Sequence, residues 1–192
     1  MTETQVSLDP ARLDRVRERL RDRDWRDVTV EDLADALGMS RMTLHRRGIS
    51  KDVLLAQLAG VLEDEYREAI LPALVSSAPP RERLRAALSA LCGVNERYLG
   101  LLEALGRASA FVFHEEGEGP VLTRVTFTDA LRRILEDGIA DGTLRADDPT
   151  EMATLLFNAT GWTYRHMRTG HRWAPDQVRD QLVSLLLDGV AA

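Results

Sequence analysis

The chain has 192 residues, 44% of them hydrophobic and 29% charged, which excludes wholesale disorder and predicts a globular protein with a real core. Its net charge of −6 argues against a basic surface that coats nucleic acid. The single cysteine excludes a disulfide or cysteine-based zinc site, and no apolar run reaches the roughly 18–20 residues of a membrane span, so we expect a cytoplasmic protein without membrane contacts.

Hydrophobic periodicity predicts helices along the whole chain, without a convincing strand or internal repeat. The pattern indicates an all-α fold, in which residues 1–50 form a small domain of three helices and residues 51–192 a larger helical domain. About nine helices are expected, at roughly 10–22, 29–37, 40–47, 50–71, 80–96, 98–110, 120–140, 149–169 and 175–189.

The front of the chain has the signals of two short helices joined by a tight turn. Thr29 precedes an apolar stretch and has Asp32 three residues later, which is the pattern of a capping box. Gly38 can end that helix sharply, and Ser40 can cap the next one. Because Leu44 can then pack back on the first helix, the segment predicts a helix-turn-helix whose second helix enters the major groove of DNA.

Two cations lie at predicted helix starts, where the helix dipole favours acidic residues. Arg41 begins the second helix of the motif, and Lys51, the only lysine, begins the helix that follows. A phosphate docked at these helix ends would resolve the conflict. The alternative is a pair of solvated charges, at a cost of only about 0.3–1 kcal/mol each.

The charge of the chain is unevenly distributed. The first sixty residues carry eleven basic and eleven acidic side chains, whereas the remainder carries 14 and 20. Arg41, Arg46, Arg47 and Lys51 lie in a stretch of eleven residues without an acidic one. This stretch can present a basic face to DNA although the chain as a whole is acidic.

This segment resembles the helix-turn-helix of the TetR family of transcriptional regulators. The resemblance covers about residues 12–58 and lies in Trp25, Thr29-Val30, Asp32-Leu33-Ala34, Leu37-Gly38-Met39-Ser40, Thr43-Leu44, Arg46, Ser50-Lys51-Asp52 and Leu54-Leu55. It implies that the recognition helix, residues 40–47, reads operator bases. The DNA-binding residues expected from the motif and the resemblance are Thr29, Ser40, Arg41, Met42, Thr43, His45, Arg46, Arg47 and Lys51.

Two positions depart from the family's pattern. His45 stands where an aromatic residue is usual, and Gly48 stands where a phenylalanine is usual. A histidine can still contact a phosphate, more strongly when protonated. Arginine suits bidentate contact with guanine, but the sequence leaves open whether Arg46 or Arg47 reads bases.

One helix-turn-helix makes few contacts, so we expect a homodimer on a palindromic operator. In the family the interface is a four-helix bundle of the last two long helices of each subunit. The last helix is apolar on more than one stripe, which favours packing on a partner, although a more deeply buried helix is the alternative. The expected interface residues are Met152, Leu155, Leu156, Val178, Leu182, Leu185 and Leu186.

The resemblance implies an effector pocket among the middle helices, for an unidentified small molecule. Asn95 lies in an apolar stripe, where a buried amide needs a partner that a ligand or a backbone carbonyl can supply. The candidate lining residues mix aromatic rings with hydrogen-bonding groups: Cys92, Asn95, Tyr98, Phe111, Phe113, Phe127, Asn158, Trp162 and Tyr164.

The expected function is therefore a repressor that a small-molecule effector releases from a palindromic operator. An enzyme is disfavoured, because the chain has no nucleophile elbow, Walker loop or Rossmann fingerprint. His166 and His171 are five residues apart, off the spacing that places two metal ligands on one helix face, so no metal site is expected. No cofactor and no catalytic residue are expected either. The remaining alternative is a helical homodimeric ligand-binding or interaction protein that has lost DNA binding.

Overall fold

The computed structural model describes residues 10–20, 27–108 and 124–192. Within these ranges the chain is all-α, as predicted, and a single isolated bridge pairs Leu144 with Ala191 in place of any strand. The nine helices of the described ranges are α1 (Pro10–Leu20), α2 (Val30–Leu37), α3 (Arg41–Arg46), α4 (Lys51–Val75), α5 (Pro80–Arg97), α6 (Leu99–Ala108), α7 (Arg124–Ala140), α8 (Pro149–Thr169) and α9 (Pro175–Val190).

The fourth helix runs one turn further than its sequence predicts. Proline breaks helices because it lacks an amide hydrogen, so the predicted helix ends before Pro72, yet α4 continues to Val75. Arg83 at the start of α5 accounts for the extra turn. Its guanidinium donates to the carbonyl oxygens of Ala73 at 3.1 Å and Leu74 at 3.0 Å, which satisfies helix-end acceptors.

The chain divides into two compact units. The first comprises Met1–Glu63 and Tyr98–Leu122, and the second comprises Asp64–Arg97 and Thr123–Ala192. Helix α4 therefore contributes its first half to one unit and its second half to the other. The predicted domain boundary, between residues 50 and 51, lies at the start of α4. That each side of this boundary has its own function stays a prediction.

The core of the first unit forms where α1 packs on α2 and α2 on α3. Val16 on α1, Leu37 on α2 and Leu44 on α3 are buried there, as is Ile49, which follows α3. Burying one apolar face of such short helices provides the stability that their length alone does not.

Helix α5 lies at the centre of the second unit, where α7, α8 and α9 all pack against it. Its Leu84, Ala87 and Leu88 are fully buried. On α7, Gly138 permits a close approach, because a Cβ atom there would lie 2.4 Å from the Cδ1 atom of Leu144. That approach seats the segment between α7 and α8 against the end of α7.

Candidate functional site

The helix-turn-helix begins with the predicted capping box. The Thr29 hydroxyl accepts from the Asp32 amide at 3.1 Å, and the Asp32 carboxylate accepts from the Thr29 amide at 2.9 Å. Helix α2 ends at Gly38, which has a φ of 63°, a conformation that favours glycine. Ser40 then caps α3 by accepting from the Thr43 amide at 3.1 Å. These interactions fix the turn without any bound partner.

Helix α3 buries one side chain and exposes most of the others. Leu44 is buried against α2, whereas Arg41, His45 and Arg46 are exposed. Met42 is 78% exposed, which is unusual for a large apolar side chain. An exposed helix face of cationic, polar and apolar groups has the chemistry needed to contact base edges, phosphates and thymine methyl groups.

The arginines of this segment differ in their surroundings. Arg41 donates to the Glu31 carboxylate of α2 at 2.8 Å, and both side chains are exposed. Arg46 and Arg47 are exposed, without an ion-pair or hydrogen-bond partner among the described residues. An exposed ion pair contributes only about 0–1 kcal/mol, so a phosphate can displace Glu31 from Arg41.

Two of the predicted phosphate contacts already have partners within the protein. The Thr29 hydroxyl donates to the Asp32 carboxylate at 2.8 Å. The half-buried Lys51 ammonium donates to the Val28 carbonyl oxygen at 2.7 Å. Lys51 therefore ties the start of α4 to the residue before Thr29. An ammonium group has three hydrogens, and the bond to Val28 occupies one of them.

The structure describes some of the candidate effector residues and not others. Phe111 and Phe113 lie outside the described residues, as does the side chain of Phe127. Tyr98 belongs to the first unit, where Arg17 on α1 donates to its hydroxyl at 3.1 Å and lies over its ring. Tyr98 is therefore held by a contact with α1 in the first unit.

The second unit contains the remaining candidates, with different exposures. Cys92 is buried, which raises the pKa of its thiol to about 12 and makes it unreactive. Asn158 donates to the Thr154 carbonyl oxygen of its own helix at 2.9 Å. Trp162 is 58% exposed, and the Arg165 guanidinium lies over its ring.

Tyr164 belongs to an ion-pair network that sequence reasoning missed. Its hydroxyl donates to Glu96 on α5 at 3.1 Å, and Arg168 donates to both carboxylate oxygens of Glu96, at 2.7 and 2.8 Å. Hydrogen bonding from Arg168 lowers the pKa of Glu96, while burial and the nearby carboxylate raise the pKa of Tyr164. The partners are about 70 residues apart in sequence, too far for a local pattern to link them.

Asn95 combines deep burial with an incompletely satisfied side chain. It is 2% exposed, and its amide nitrogen donates to the Leu91 carbonyl oxygen at 2.8 Å. The sequence left open whether a ligand or a backbone carbonyl is the partner of this amide, and the structure shows a backbone carbonyl bonded to its nitrogen. Its side-chain oxygen is also buried, but has no hydrogen-bond partner among the described residues.

The predicted interface residues divide between core and surface. Leu156, Val178 and Leu182 are buried within their own unit, because α8 and α9 pack on α5 and on each other. Leu155 and Leu185 are 62% and 69% exposed. Met152 and Leu186 are half-buried. Val178 and Leu182 lie on the last helix, and their burial agrees with the sequence-based alternative that this helix packs deeply in its own unit.

A capped helix-turn-helix with an exposed cationic helix, joined through α4 to a helical unit, defines a DNA-binding transcriptional regulator. Residues 77–190 match the family model described as the tetracyclin repressor-like C-terminal domain. The chain belongs to the TetR family and is thus a ligand-responsive, DNA-binding transcriptional regulator, as its helix-turn-helix predicts. The alternative of a protein that has lost DNA binding is not favoured.

Relatives of the chain are regulators of the same kind. The HTH-type transcriptional repressor KstR2 of Rhodococcus jostii (strain RHA1) is 28% identical over 179 residues, which cover 89% of this chain and 85% of that protein. A solved transcriptional regulator of the TetR/AcrR family from Thermobifida fusca has a TM-score of 0.67 at 25% identity, covering 93% of this chain and 95% of its own. The ketosteroid transcriptional regulator KstR2 of Mycobacterium tuberculosis shares the fold, with a TM-score of 0.64, 20% identity and 97% coverage of both chains.

The described ranges contain neither a membrane-spanning helix nor a cluster of metal ligands. None of the described helices is long and apolar enough to cross a membrane. No three or more histidine, cysteine, aspartate or glutamate side chains in those ranges lie together as ligands for a metal ion.

Proposed function

We propose that this regulator is a repressor that binds a palindromic operator as a homodimer and is released by a small-molecule effector. The observation that carries the proposal is α3, which buries Leu44 and exposes a cationic face held in place by the caps at Thr29 and Ser40. Repressor activity is supported by the similarity to a relative described as a transcriptional repressor. Its action on operators places the protein in the cytoplasm, and its function there is binding rather than catalysis.

The proposed DNA contacts fall into two groups. Met42 and Arg46 are exposed on α3 and Arg47 directly follows it. We assign base contacts to Met42 and to one of the two arginines, and a phosphate contact to the other. Phosphate contacts are assigned to the remaining members of the predicted set, which lie near the starts of α2, α3 and α4 or, for His45, in the last turn of α3: Thr29, Ser40, Arg41, Thr43, His45 and Lys51.

The proposed dimer uses the exposed apolar side chains of α8 and α9. Leu155 and Trp162 are one heptad apart on α8, so they lie on one face of that helix, and α9 contributes Leu185. Large apolar side chains exposed together mark interaction surfaces. A second copy that covers them brings two α3 helices to one palindromic site, with half-sites one DNA turn, or roughly 34 Å, apart.

The effector is proposed to bind in the second unit, among α4, α5 and α8. Helix α4 is shared by both units, since it runs unbroken from Lys51 to Val75. An effector that changes the packing of its second half thereby shifts its first half, which follows α3 directly. The effector lowers operator affinity only to the extent that it prefers the conformation with mis-spaced recognition helices.

Selection of bound sequences from a random DNA pool tests the proposal. The purified full-length chain should enrich a palindrome with half-sites about one helical turn apart. The Arg46→Ala, Arg47→Ala double variant is the matched control, because both side chains are exposed and their removal leaves the core intact. Enrichment of no motif, or enrichment of the same motif by the double variant, would contradict the proposal.

A further inference from the structure

The side chain of Asn95 is fixed in one orientation inside the second unit. Its amide nitrogen faces the Leu91 carbonyl oxygen at 2.8 Å. A carbonyl oxygen only accepts hydrogen bonds, so the nitrogen of the amide must be the atom that faces it. Burial raises the pKa of the Tyr66 phenol on α4, and the neighbouring Asn95 amide is among the groups that partly offset this rise.

The Oδ1 atom of Asn95 is the part of the side chain that lacks a hydrogen-bond partner among the described residues. It is also buried. A buried acceptor without a partner destabilises a fold, and a leucine of similar shape at this position would avoid that loss. The neighbouring core positions on α5, Leu88 and Leu91, are leucine, so Asn95 calls for an explanation beyond packing.

The unpaired oxygen lies beside Gly161 of α8, a residue without a side chain. A Cβ atom built on Gly161 would lie 3.7 Å from the Asn95 Oδ1 atom, an ordinary contact. Outside the backbone of α8 and the chain neighbours of Gly161, no other described atom lies within 4 Å of that Cβ position. Glycine in the middle of a helix is less stable than alanine, although alanine would fit here. Asn95 and Gly161, each less stabilising than the residue that could replace it, therefore lie next to each other.

We infer that Asn95 and Gly161 form a subsite that receives the hydrogen-bond donor of the effector, a neutral hydroxyl or N–H group on an apolar body. The inference rests on the proposed effector binding in the second unit and names the chemistry of that ligand. Oδ1 accepts a hydrogen bond, so an ionised carboxylate, which has no donor, cannot pair with it. Leu91 and Tyr66 lie beside Asn95, and the ring of Phe157 packs against Tyr66. The buried Arg165 donates to the Gly161 carbonyl oxygen at 3.3 Å, so that carbonyl already has a donor.

The test compares two probes of nearly equal size and shape, phenol and toluene. Phenol carries the hydroxyl donor that toluene lacks. Protein-observed NMR on the full-length chain follows the backbone amide of Gly161 and the side-chain amide of Asn95 during titration. Phenol should shift both signals saturably, and toluene should bind about tenfold more weakly, the usual effect of losing one hydrogen bond.

Two alanine variants separate the subsite from helix stability. Gly161→Ala fills the space before Oδ1 and should weaken phenol binding about tenfold, by blocking the hydrogen bond. Gly93→Ala is the matched control, because Gly93 is also helical and a Cβ there meets no described atom within 4 Å. Both variants should raise the unfolding temperature, since alanine favours helix, which shows that each has folded.

Asn95→Leu reverses the chemistry of the subsite at nearly constant volume. It should remove the preference for phenol and bind toluene at least as well. Equal binding of the two probes by the wild-type chain, or equal phenol binding by Gly161→Ala and Gly93→Ala, would overturn the subsite. Operator binding is measured separately with the DNA motif alone, so a failure of DNA recognition is distinguishable from a failure of this inference.

Discussion

The Lys51 ammonium donates a hydrogen bond to the Val28 carbonyl oxygen at 2.7 Å and so ties the start of α4 to the start of α2. The contact gives the only lysine of the chain a structural role beside the phosphate contact proposed for it. The two roles can be separated, because one affects the free energy of unfolding and the other the salt dependence of DNA binding.

Lys51→Met keeps most of the aliphatic stem and removes the ammonium group. We expect a loss of about 0.5–1.5 kcal/mol in the free energy of unfolding, from the hydrogen bond to Val28. The slope of log affinity for DNA against log salt should also become shallower by about one, for one lost phosphate contact. Denaturant unfolding and fluorescence anisotropy measure the two effects. Arg133→Met, at an exposed position on α7, is the control; an unchanged salt slope would leave Lys51 with its structural role alone.

Arg46→Ala and Arg47→Ala separate base reading from phosphate binding. Whichever arginine contacts a base should lose about 1–3 kcal/mol of discrimination at one position of the half-site, while the other should weaken binding to all sequences alike. Competition between operators with single base-pair changes measures the difference. Both side chains are exposed, so the unfolding temperature should stay near that of the wild type. Unchanged affinity in both variants would remove α3 from the interface.

Leu185→Glu tests the dimer surface. The side chain is exposed on α9, so a charge there leaves the core intact but should repel a second copy. Sedimentation analysis should find monomers, and operator affinity should fall because the two recognition helices are no longer joined. Leu71→Glu is a matched control, since Leu71 on α4 is also exposed and lies outside α8 and α9. A dimeric Leu185→Glu variant would place the interface elsewhere.

Glu96→Gln tests the network with Arg168 and Tyr164. The folded state lowers the pKa of Glu96, so its ionised form stabilises the fold above the ordinary carboxyl pKa of about 4.3. This contribution is lost as the pH falls through the lowered, folded-state pKa. The variant should therefore be less stable near neutral pH and should show a weaker loss of stability in acid. Urea unfolding, followed from neutral pH down into acid, measures the stability at neutral pH and its loss in acid. Glu82→Gln on the same helix is the control.

Local signals of the motif were predictable from the sequence, because their partners lie within a few residues of one another. The capping box joins Thr29 to Asp32, and Ser40 caps α3, which begins at Arg41, by accepting from the Thr43 amide. Contacts between distant segments were not predictable. Arg17 and Tyr98 are 81 residues apart, so no periodic pattern relates them.

Helix periodicity also could not assign apolar residues to their partners. Leu182 and Leu185 on α9 are alike in composition, yet one is buried in its own unit and the other is exposed. A stripe of leucines indicates that a helix face is covered, but not by which surface. Trp162 gives the opposite case, because its ring size favours a core position while α8 places it at the surface.

The spacing of the two half-sites tests the central claim most directly. Operator affinity of the wild-type dimer is measured on the selected palindrome and on the same palindrome with about five base pairs, half a helical turn, inserted at its centre. A dimer that reads both half-sites through α3 should lose affinity on the altered site and approach its affinity for random DNA. Equal affinity for the two sites would contradict binding by paired recognition helices.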